Sequence, residues 1–362
     1  MNVCIIGDGL ISLTLAKTLI NKKIKVFMYC ENKKKKHYEN GTIGISSNNI
    51  NFIKKNILEI KPKYICNISE IEIYNYKNEK ILNFNNKKKN LFSVIKNNDF
   101  YNLLEKSLKK NINFKKIKTK KNFYNQILKN EKYDLIFNCD SSNILSKNYF
   151  FNKFSKNYNS TAHVSIITHN KLENQKAIQI FTKYGPLAFL PLSQSKTSVI
   201  FSIKNNSIKL NDKILKNLII KNAKKYKIKS FENFENFKLN LKTLKKYYYK
   251  NILAFGDLLH QLHPLAGQGF NMTLRDIKIL LDFINNKKSL GLPIDYSIYE
   301  EFQNATKHKN FLFASGNDFI YEFFNYDNFY SKSFSNKIFN YLNKNHLFNN
   351  LALKYADEGL SI

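Results

Sequence analysis

The chain has 362 residues and a formal net charge of +32, and 58 of its 59 basic residues are lysines. This length allows two domains with sizeable cores, and no apolar run approaches the roughly 20 residues of a membrane-spanning helix. Because nucleic-acid readers rely on arginine for bidentate contacts, a charge carried by lysine does not predict a nucleic-acid partner. The four cysteines show no paired spacing and nothing before Val3 predicts a secretory signal, so we expect a reduced, cytoplasmic protein.

The chain opens with a pattern typical of dinucleotide binding. An apolar run at residues 3–6 predicts a buried strand, residues 7–12 have the form G-x-G-x-x-S, and apolar residues then recur at helical spacing. Gly7 would make the tight turn, and Gly9 would let a pyrophosphate approach the backbone. Ser12 stands where a third glycine usually allows close packing of helix and strand. We therefore predict a dinucleotide site that includes Leu10 at the start of the helix.

The next predicted strand covers residues 24–29 and should end in an acidic residue that holds the adenosine ribose. That slot falls on Cys30, and Glu31 follows one place later. Two alternatives remain open: the strand ends one residue late and Glu31 binds the ribose, or the ribose contact is weakened. A further strand is predicted at residues 133–140, ending at Asp140.

Residues 256–276 carry the densest signal in the chain. An apolar strand at residues 252–255 leads into them, and they contain an acidic turn, two histidines and a Gly-Gln-Gly turn that opens a helix. A strand, a glycine-rich turn and a helix start together form an anion site. His260 and His263 are three residues apart, but no nearby carboxylate or cysteine completes a ligand set, so we predict turn histidines and no metal.

These segments resemble the flavin-dependent aromatic-ring hydroxylases (monooxygenases) of ubiquinone biosynthesis, which share the para-hydroxybenzoate hydroxylase fold. The resemblance rests on the N-terminal fingerprint, the strand ending at Asp140, the Gly-Pro-x-Ala-x-Leu-Pro-Leu run at residues 185–192, and residues 256–276. It implies an α/β fold in which a Rossmann-like FAD-binding domain carries an inserted, mostly antiparallel β-sheet substrate domain and C-terminal helices. The implied boundaries are 1–60, 93–150 and 245–311 for the FAD domain, 61–92 and 151–244 for the substrate domain, and 312–362 for the C-terminal region.

The same resemblance implies a set of cofactor residues. Asp257 would bind the ribityl chain, and the turn after it would line the isoalloxazine ring. The residues implied for FAD are Gly7, Gly9, Leu10, Ser12, Glu31, Asp257, Pro264, Gly267, Gln268, Gly269 and Asn271. Pro264, Leu190 and Pro191 would line the substrate pocket. No catalytic base is assigned, because the cofactor supplies the reactive group.

The implied reaction is hydroxylation of a polyprenyl phenol in ubiquinone biosynthesis, with FAD as cofactor, dioxygen as co-substrate, and NAD(P)H or another electron donor. Asp140-Ser141 replaces the Asp-Gly pair that relatives use for both FAD and reduced nicotinamide, which leaves the donor open. Two other functions stay open: a flavin-fold oxidoreductase such as a prenyl reductase, and a non-catalytic partner in a quinone-biosynthetic complex.

Charge and the C-terminal pattern suggest a membrane surface. Aromatic and aliphatic residues recur at helical spacing from Leu312 to Leu342, with lysines between them. This pattern predicts either a packing face or a basic helix that lies in a membrane interface, which would place the protein peripherally on the inner membrane face. The single arginine, Arg275, is predicted to pair with a carboxylate such as Asp276 or with a cofactor group.

Overall fold

The computed structural model describes residues 1–31, 40–85, 90–120, 124–128, 132–205, 207–208, 210–223, 225–262 and 267–330, together with residues 354, 357 and 359. The elements follow in chain order: β1 Asn2–Ile6, α1 Leu10–Asn21, β2 Lys25–Glu31, β3 Thr42–Ser46, α2 Ser47–Asn56, β4 Cys66–Ile68, β5 Glu70–Tyr74, β6 Lys80–Asn85, β7 Phe92–Lys96, α3 Asn97–Lys109, β8 Phe114–Thr119, α4 Tyr124–Leu128, β9 Leu135–Asn138, α5 Ile144–Tyr149, β10 Lys153–His169, β11 Lys176–Thr182, β12 Gly185–Pro191, β13 Lys196–Lys204, α6 Asp212–Asn222, β14 Ile228–Phe231, β15 Glu235–Leu244, β16 Tyr248–Tyr249, β17 Ile252–Ala254, β18 His260–Gln261, α7 Gln268–Ser289 and α8 Ile298–Tyr330.

The N-terminal apolar run forms the centre of a six-stranded sheet with the order β16-β17-β9-β1-β2-β8. All its pairings are parallel except that of β16 with β17. Val3, Cys4, Ile5 and Ile6 are each 0% exposed, as expected for a central parallel strand that is covered on both faces. The parallel order brings the carboxyl ends of β1, β2, β9 and β17 to one edge, where ligands of such sheets bind.

A larger sheet, mostly antiparallel, has the order β18-β15-β10-β13-β12-β11-β5-β6, with β14 also paired to β10. It corresponds to the mostly antiparallel sheet that the resemblance implied, and β12 and β13 pair along their lengths. The exception to antiparallel pairing is β11 with β5. A short sheet, β3-β7-β4, is separate from both.

Residues 256–276 connect the two large sheets. The segment leaves β17 of the parallel sheet, contributes β18 to the edge of the antiparallel sheet, and then begins α7. The sequence did not predict that part of residues 256–276 forms an edge strand of the antiparallel sheet. It means that the same short segment reaches both walls of any space between the sheets.

The ends of two strands test the sequence prediction. β2 extends to Glu31, as the first of the two alternatives required. By contrast, the strand predicted to end at Asp140 ends at Asn138, so that boundary was wrong. The Asn138 amide hydrogen-bonds Asn143 at 2.8 Å and Ser146 at 2.9 Å. These bonds tie the end of β9 to the start of α5, and Asp140 lies in the turn between the two elements.

The predicted C-terminal helical spacing is confirmed as far as Tyr330, because α8 covers residues 298–330. Its continuation at residues 331–353 lies outside the described residues. Within the described part of the chain, no helix is long and apolar enough to span a bilayer.

Candidate cofactor site

A cleft of about 690 Å³ lies at the carboxyl edge of the parallel sheet. Several separate parts of the chain line it, including the turn after β1, the end of β2, the turn after β9, the start of α3 and both sides of the 263–266 segment. Of the residues predicted to bind FAD, the cleft brings together Gly7, Gly9, Leu10, Ser12, Glu31, Asp257 and Gly269. A single cleft therefore joins motifs that lie more than 250 residues apart in the chain.

The fingerprint turn presents bare backbone to the cleft. Gly7 has a φ of +105°, which favours glycine, and its amide donates to the carbonyl of Tyr29 at 2.8 Å. A Cβ added at Gly9 would meet no described atom within 4 Å. Gly9 caps α1 without any side-chain hydrogen bond, so the first amides of the helix are available to an anionic group.

Ser12 fits its position because the neighbouring atoms are small or polar. Its hydroxyl lies 3.3 Å from where a Cβ on Gly7 would be, and it hydrogen-bonds the thiol of Cys139. Desolvation raises the pKa of the Cys139 thiol to about 12, and the bond to Ser12 opposes this shift only in part. The residue that replaces the third glycine is thus part of the packing between α1 and the turn after β9.

A cation balances the acidic residue of the fingerprint turn. The ammonium of Lys116 on β8 lies 3.1 Å from the Asp8 carboxylate and 3.3 Å from that of Glu105. Hydrogen bonding and attraction from Asp8 raise the pKa of Lys116 against the opposing effect of desolvation. Lys116 therefore offsets negative charge beside a turn that is built to accept an anion.

The turn after β17 requires a glycine. Gly256 has a φ of +64°, and a Cβ there would lie 2.6 Å from Cγ2 of Ile11. This contact seats the turn directly on α1 and places Asp257 at the cleft. The Asp257 side chain is open to the cleft, but protein atoms surround it, and this desolvation raises the pKa of Asp257 while the nearby His260 lowers it.

The second glycine turn starts α7 against β3. Gly267 adopts a left-handed φ of +66°, and a Cβ there would lie 3.0 Å from the amide nitrogen of Gly44. The next residue, Gln268, has a buried side-chain oxygen with no hydrogen-bond partner among the described residues. Gln268 is not among the residues that line the cleft, so its contact with FAD stays a prediction.

Asn271, which the resemblance places beside the flavin ring, has a structural role in the protein. Its Oδ1 accepts from the amide of Ser46 and from Nδ2 of Asn49, both at 2.9 Å, and its Nδ2 donates to the carbonyl of Gly44 at 2.8 Å. The side chain is 2% exposed and holds the start of α7 against β3 and α2. Its polar atoms are used within the protein, so any contact of this residue with the flavin ring stays a prediction.

Of the residues predicted to form the substrate pocket, Leu190 and Pro191 are not among those that line this cleft. Leu190 is 9% exposed and packs in a cluster with Ile68, Val94 and Ala177, and Pro191 is buried beside it. Pro264 and His263 lie outside the described residues. The roles of Leu190 and Pro191 as pocket wall therefore stay predictions.

Sequence reasoning missed several residues of the cleft wall. Asn97, Asn98 and Tyr101 at the start of α3 line it, as do His260, Leu262 and Phe270. Nothing in the local pattern around α3 distinguishes a polar helix start at the surface from one in a cleft. Their placement depends on the neighbouring sheet, which the sequence pattern does not specify.

His260, the first of the two histidines in residues 256–276, belongs to a buried network. Nε2 of His260 lies 2.6 Å from Oδ2 of Asp276, and both side chains are 1% exposed. Nδ2 of Asn310 on α8 donates to the other carboxylate oxygen at 3.0 Å. Asp276 was predicted as a partner for Arg275, but the guanidinium of Arg275 lies over the ring of Phe313, 4.3 Å from its centroid.

A smaller cavity of about 340 Å³ adjoins the cleft and shares Ser141, Asp257 and Gln261 with it. Three lysines from different elements also line it: Lys147 on α5, Lys153 on β10 and Lys242 on β15. Each is without an ion pair to a carboxylate in the described ranges. This neighbouring cavity is consequently the more cationic of the two.

The described residues fit FAD. Two glycine turns begin helices at the cleft, and a Cβ at Gly9 or Gly269 would enter open space. Within the described ranges, no group of three histidine, cysteine or acidic residues could hold a metal ion.

Comparisons with known proteins agree with this geometry. The model of the squalene epoxidase family matches residues 166–355. Ubiquinone hydroxylase UbiL of Rhodospirillum rubrum is 23% identical over 184 residues, which are 47% of this chain and 41% of that protein. The 3-demethoxyubiquinol 3-hydroxylase of Escherichia coli K12 is 29% identical over 153 residues, 40% of this chain and 38% of that protein. The chain thus spans about two fifths of the length of these curated relatives.

Solved structures share the fold over nearly the whole chain. The p-nitrophenol 4-monooxygenase PnpA of Pseudomonas putida DLL-E4 superposes with a TM-score of 0.76 at 10% identity, covering 99% of this chain and 98% of that one. Klebsiella pneumoniae HpxO, complexed with FAD and uric acid, gives a TM-score of 0.72 at 10% identity, covering 99% and 96%. At such identity the likeness shows the fold alone, and it confirms the predicted para-hydroxybenzoate hydroxylase-like class.

Replacement of Gly9 tests the cleft. We expect Gly9→Val to change the free energy of unfolding by no more than about 0.5 kcal/mol, as at an unobstructed surface site, because its φ is −71° and its Cβ enters open space. The affinity for FAD, measured by flavin fluorescence titration, should fall about tenfold or more, because the side chain occupies the space of closest approach.

Gly291→Ala is the matched control for this measurement. Gly291 has a φ of +66° and open space around its Cβ among the described atoms, so alanine should cost about 1 kcal/mol of stability and leave FAD affinity unchanged. Equal FAD affinity of Gly9→Val and the wild type would contradict the assignment of the cleft.

Asp257 should make the FAD-free protein pH-sensitive. Desolvation raises the pKa of Asp257, so the folded protein holds the carboxyl proton more tightly than the unfolded chain does. Aspartates of an unfolded chain have a pKa of about 3.9. The free energy of unfolding of the wild type should therefore fall relative to that of Asp257→Asn as pH rises above about 4. Below this pH the two free energies should converge. Urea unfolding between pH 3 and 7 measures this, and parallel curves over the whole range would refute it.

Proposed function

This chain belongs to the squalene epoxidase family of FAD-dependent monooxygenases, and from that premise we propose that it hydroxylates the aromatic ring of a polyprenyl phenol in ubiquinone biosynthesis. The observation that carries the proposal is the cleft in which both glycine turns meet. Two relatives are a ubiquinone hydroxylase and a 3-demethoxyubiquinol 3-hydroxylase, which supports this substrate class.

Bound FAD, once reduced, supplies the chemistry that activates dioxygen and delivers one oxygen atom to the ring. The protein's own residues bind and orient. The unpaired amides at the start of α1 would hold the pyrophosphate, and Asp257 would accept from the polyol chain. The amides at the start of α7, next to Gly267 and Gln268, would face the edge of the ring system that gains negative charge on reduction, which the helix dipole stabilises.

Water exclusion is the other task of the protein, because a wet site releases peroxide without hydroxylating the substrate. Gly256 against Ile11 and Gly267 against Gly44 leave no room for a side chain at either turn. At Gly256 the backbone packs on the side chain of Ile11, and at Gly267 it packs on the backbone of Gly44, so both turns are closely packed. No residue of the chain needs to act as the oxidant.

The electron donor that we propose is a reduced nicotinamide dinucleotide. Its phosphates carry negative charge, and the cavity that adjoins the cleft is lined by Lys147, Lys153 and Lys242. A strongly cationic wall beside a flavin site would raise the local concentration of such an anion. Ser141, shared by both cavities, lies between the two sets of residues.

Flavin loading and oxygen labelling test the reaction. The purified protein should bind FAD, turn yellow, be bleached anaerobically by NADPH or NADH, and recover its colour in air. With ¹⁸O₂ and a prenylated phenol, mass spectrometry should find one labelled oxygen per product molecule. Gly9→Val is the control, and it should need about tenfold more FAD than the wild type for either result.

Three outcomes would contradict the proposal. Flavin that reoxidises with peroxide and no labelled product from any prenylated phenol would exclude hydroxylation. Saturation of prenyl double bonds without label would support a prenyl reductase, and a colourless protein that cannot be loaded with FAD would support a non-catalytic partner in a quinone-biosynthetic complex.

We further propose that the protein binds the anionic cytoplasmic face of the membrane that holds its substrate. Four apolar side chains are exposed on one face of α8: Phe311 by 48%, Leu312 by 49%, Phe319 by 68% and Ile320 by 43%. Phe319 follows Leu312 by seven residues and Phe311 by eight. Aromatic and aliphatic side chains on a helix in a protein of charge +32 suit an interface with anionic lipid.

Vesicle sedimentation tests this surface. A Phe319→Ser/Ile320→Ser double variant should bind vesicles that contain anionic lipid roughly tenfold more weakly, because it loses apolar area that would be buried in the lipid. Leu290→Ser, at an exposed side chain outside α8, is the control and should bind like the wild type. Undiminished binding of the double variant would exclude this face, and binding only to a partner protein would favour a complex.

A further inference from the structure

His260 has an unused ring nitrogen in the wall of the cleft. Its Nε2 is engaged with Asp276, but its Nδ1 is buried and has no hydrogen-bond partner among the described residues. The residue lines the same cleft as Asp257. A buried nitrogen without a partner calls for an explanation, because such groups are rare in folded proteins.

The partners of Asp276 set the tautomer of the histidine. A carboxylate only accepts hydrogen bonds, so the ring donates through Nε2 to Oδ2, and Asn310 donates to Oδ1. The neutral ring then carries no proton on Nδ1, which is left as an acceptor. Asn310 also hydrogen-bonds the hydroxyl of Tyr247, so the histidine is the cleft end of a buried chain of four side chains.

A ligand that satisfies this nitrogen must bring a donor. Among the described residues, the cleft offers no partner for it, whereas FAD carries a polyol chain with several hydroxyl groups. Asp257, on the same wall, accepts through its carboxylate. Two acceptors side by side match a chain of neighbouring hydroxyls better than they match a phosphate, which would be repelled by Asp257.

We infer that His260 is a cofactor-binding residue whose Nδ1 accepts a hydrogen bond from a hydroxyl of the FAD polyol chain, and that Asp276 is a positioning residue that fixes the required tautomer. The inference rests on the proposed FAD site. It explains why His260 is paired with a buried aspartate, since a histidine with only a structural role in a turn does not need such a partner.

Two substitutions separate the acceptor from the pair. In His260→Gln the side-chain amide can still donate to Asp276, but the acceptor at the Nδ1 position is lost. Asp276→Asn is isosteric: its oxygen can accept from Asn310 while its amide donates to Nε2. The histidine would then carry its proton on Nδ1 and present a donor to the cleft. A comparable tautomer reversal follows the aspartate-to-asparagine change in serine proteases.

The first measurement is FAD affinity by fluorescence titration, with folding of each FAD-free variant checked by circular dichroism. Both variants should bind FAD about tenfold more weakly than the wild type, the fold-change expected when one hydrogen bond is lost. His169→Gln is the matched control. His169 is also 1% exposed, but both its ring nitrogens have partners, Asn170 and Thr197, so this variant should lose stability and keep its FAD affinity.

The second measurement reads the nitrogen itself. In ¹⁵N NMR of histidine-labelled wild type, assigned through the His260 variant, Nε2 should carry the proton and Nδ1 should not. The Nδ1 resonance should shift when FAD alone is added, and in Asp276→Asn the proton should move to Nδ1. A structural pair would give no such response to FAD.

The inference fails if FAD binds to the wild type and leaves the Nδ1 resonance unmoved, or if that resonance responds only when a phenol is added. It also fails if folded His260→Gln binds FAD as tightly as the wild type. If the wild type binds no FAD, the proposed function fails first, so the two failures are distinguishable.

Discussion

The site depends on two places where backbone packs against its neighbour with no room for a side chain. At Gly256 the turn after β17 rests on Ile11 of α1, and at Gly267 the start of α7 rests on Gly44 of β3. Both residues have left-handed φ angles, which other residues rarely adopt. These two contacts hold residues 256–276 between the parallel and antiparallel sheets. A bulkier residue at either place would push apart the walls that form the cleft.

Electrostatics in the cleft follow from this packing. The helix starts supply partial positive charge, while Asp8 and Asp257 supply negative charge close by. Lys116 neutralises Asp8 at 3.1 Å, but Asp257 is desolvated and its pKa is raised. The anion-binding end of the cleft is therefore balanced, and the other end is rich in acceptors. This division suits a ligand with phosphates at its centre and hydroxyls farther along, as FAD has.

Local pattern predicted the parts of the site that depend on backbone. Glycines at positions 7 and 9, between an apolar strand and a helix, indicated a phosphate turn, and the apolar run at residues 252–255 with the later Gly-Gln-Gly turn indicated a strand and a helix start. In both cases, neighbours in sequence carry the signal. Counting along β2 placed the acidic slot on Cys30 and left Glu31 as one of two alternatives, and the strand extends to Glu31.

Side-chain partners could not be predicted in the same way. Asp276 follows Arg275 directly, yet it bonds His260 on an edge strand and Asn310 on another helix, a pairing that depends on three elements meeting. Asn271 resembled a ligand residue by motif, but its amide is used by the backbone of β3. β9 ended before Asp140 because Asn138 found partners in α5. In each case the hydrogen-bond partner comes from a tertiary contact between polar groups, and the local periodicity of the sequence carries no information about such contacts.

The most direct measurement of the central claim is a crystal structure of the protein with FAD bound. The account predicts electron density for the cofactor in the cleft, with the pyrophosphate at the start of α1, the polyol chain beside Asp257 and the ring system at the start of α7. Density for FAD at any other place, or a cleft filled by protein side chains in crystals that contain FAD elsewhere, would contradict it.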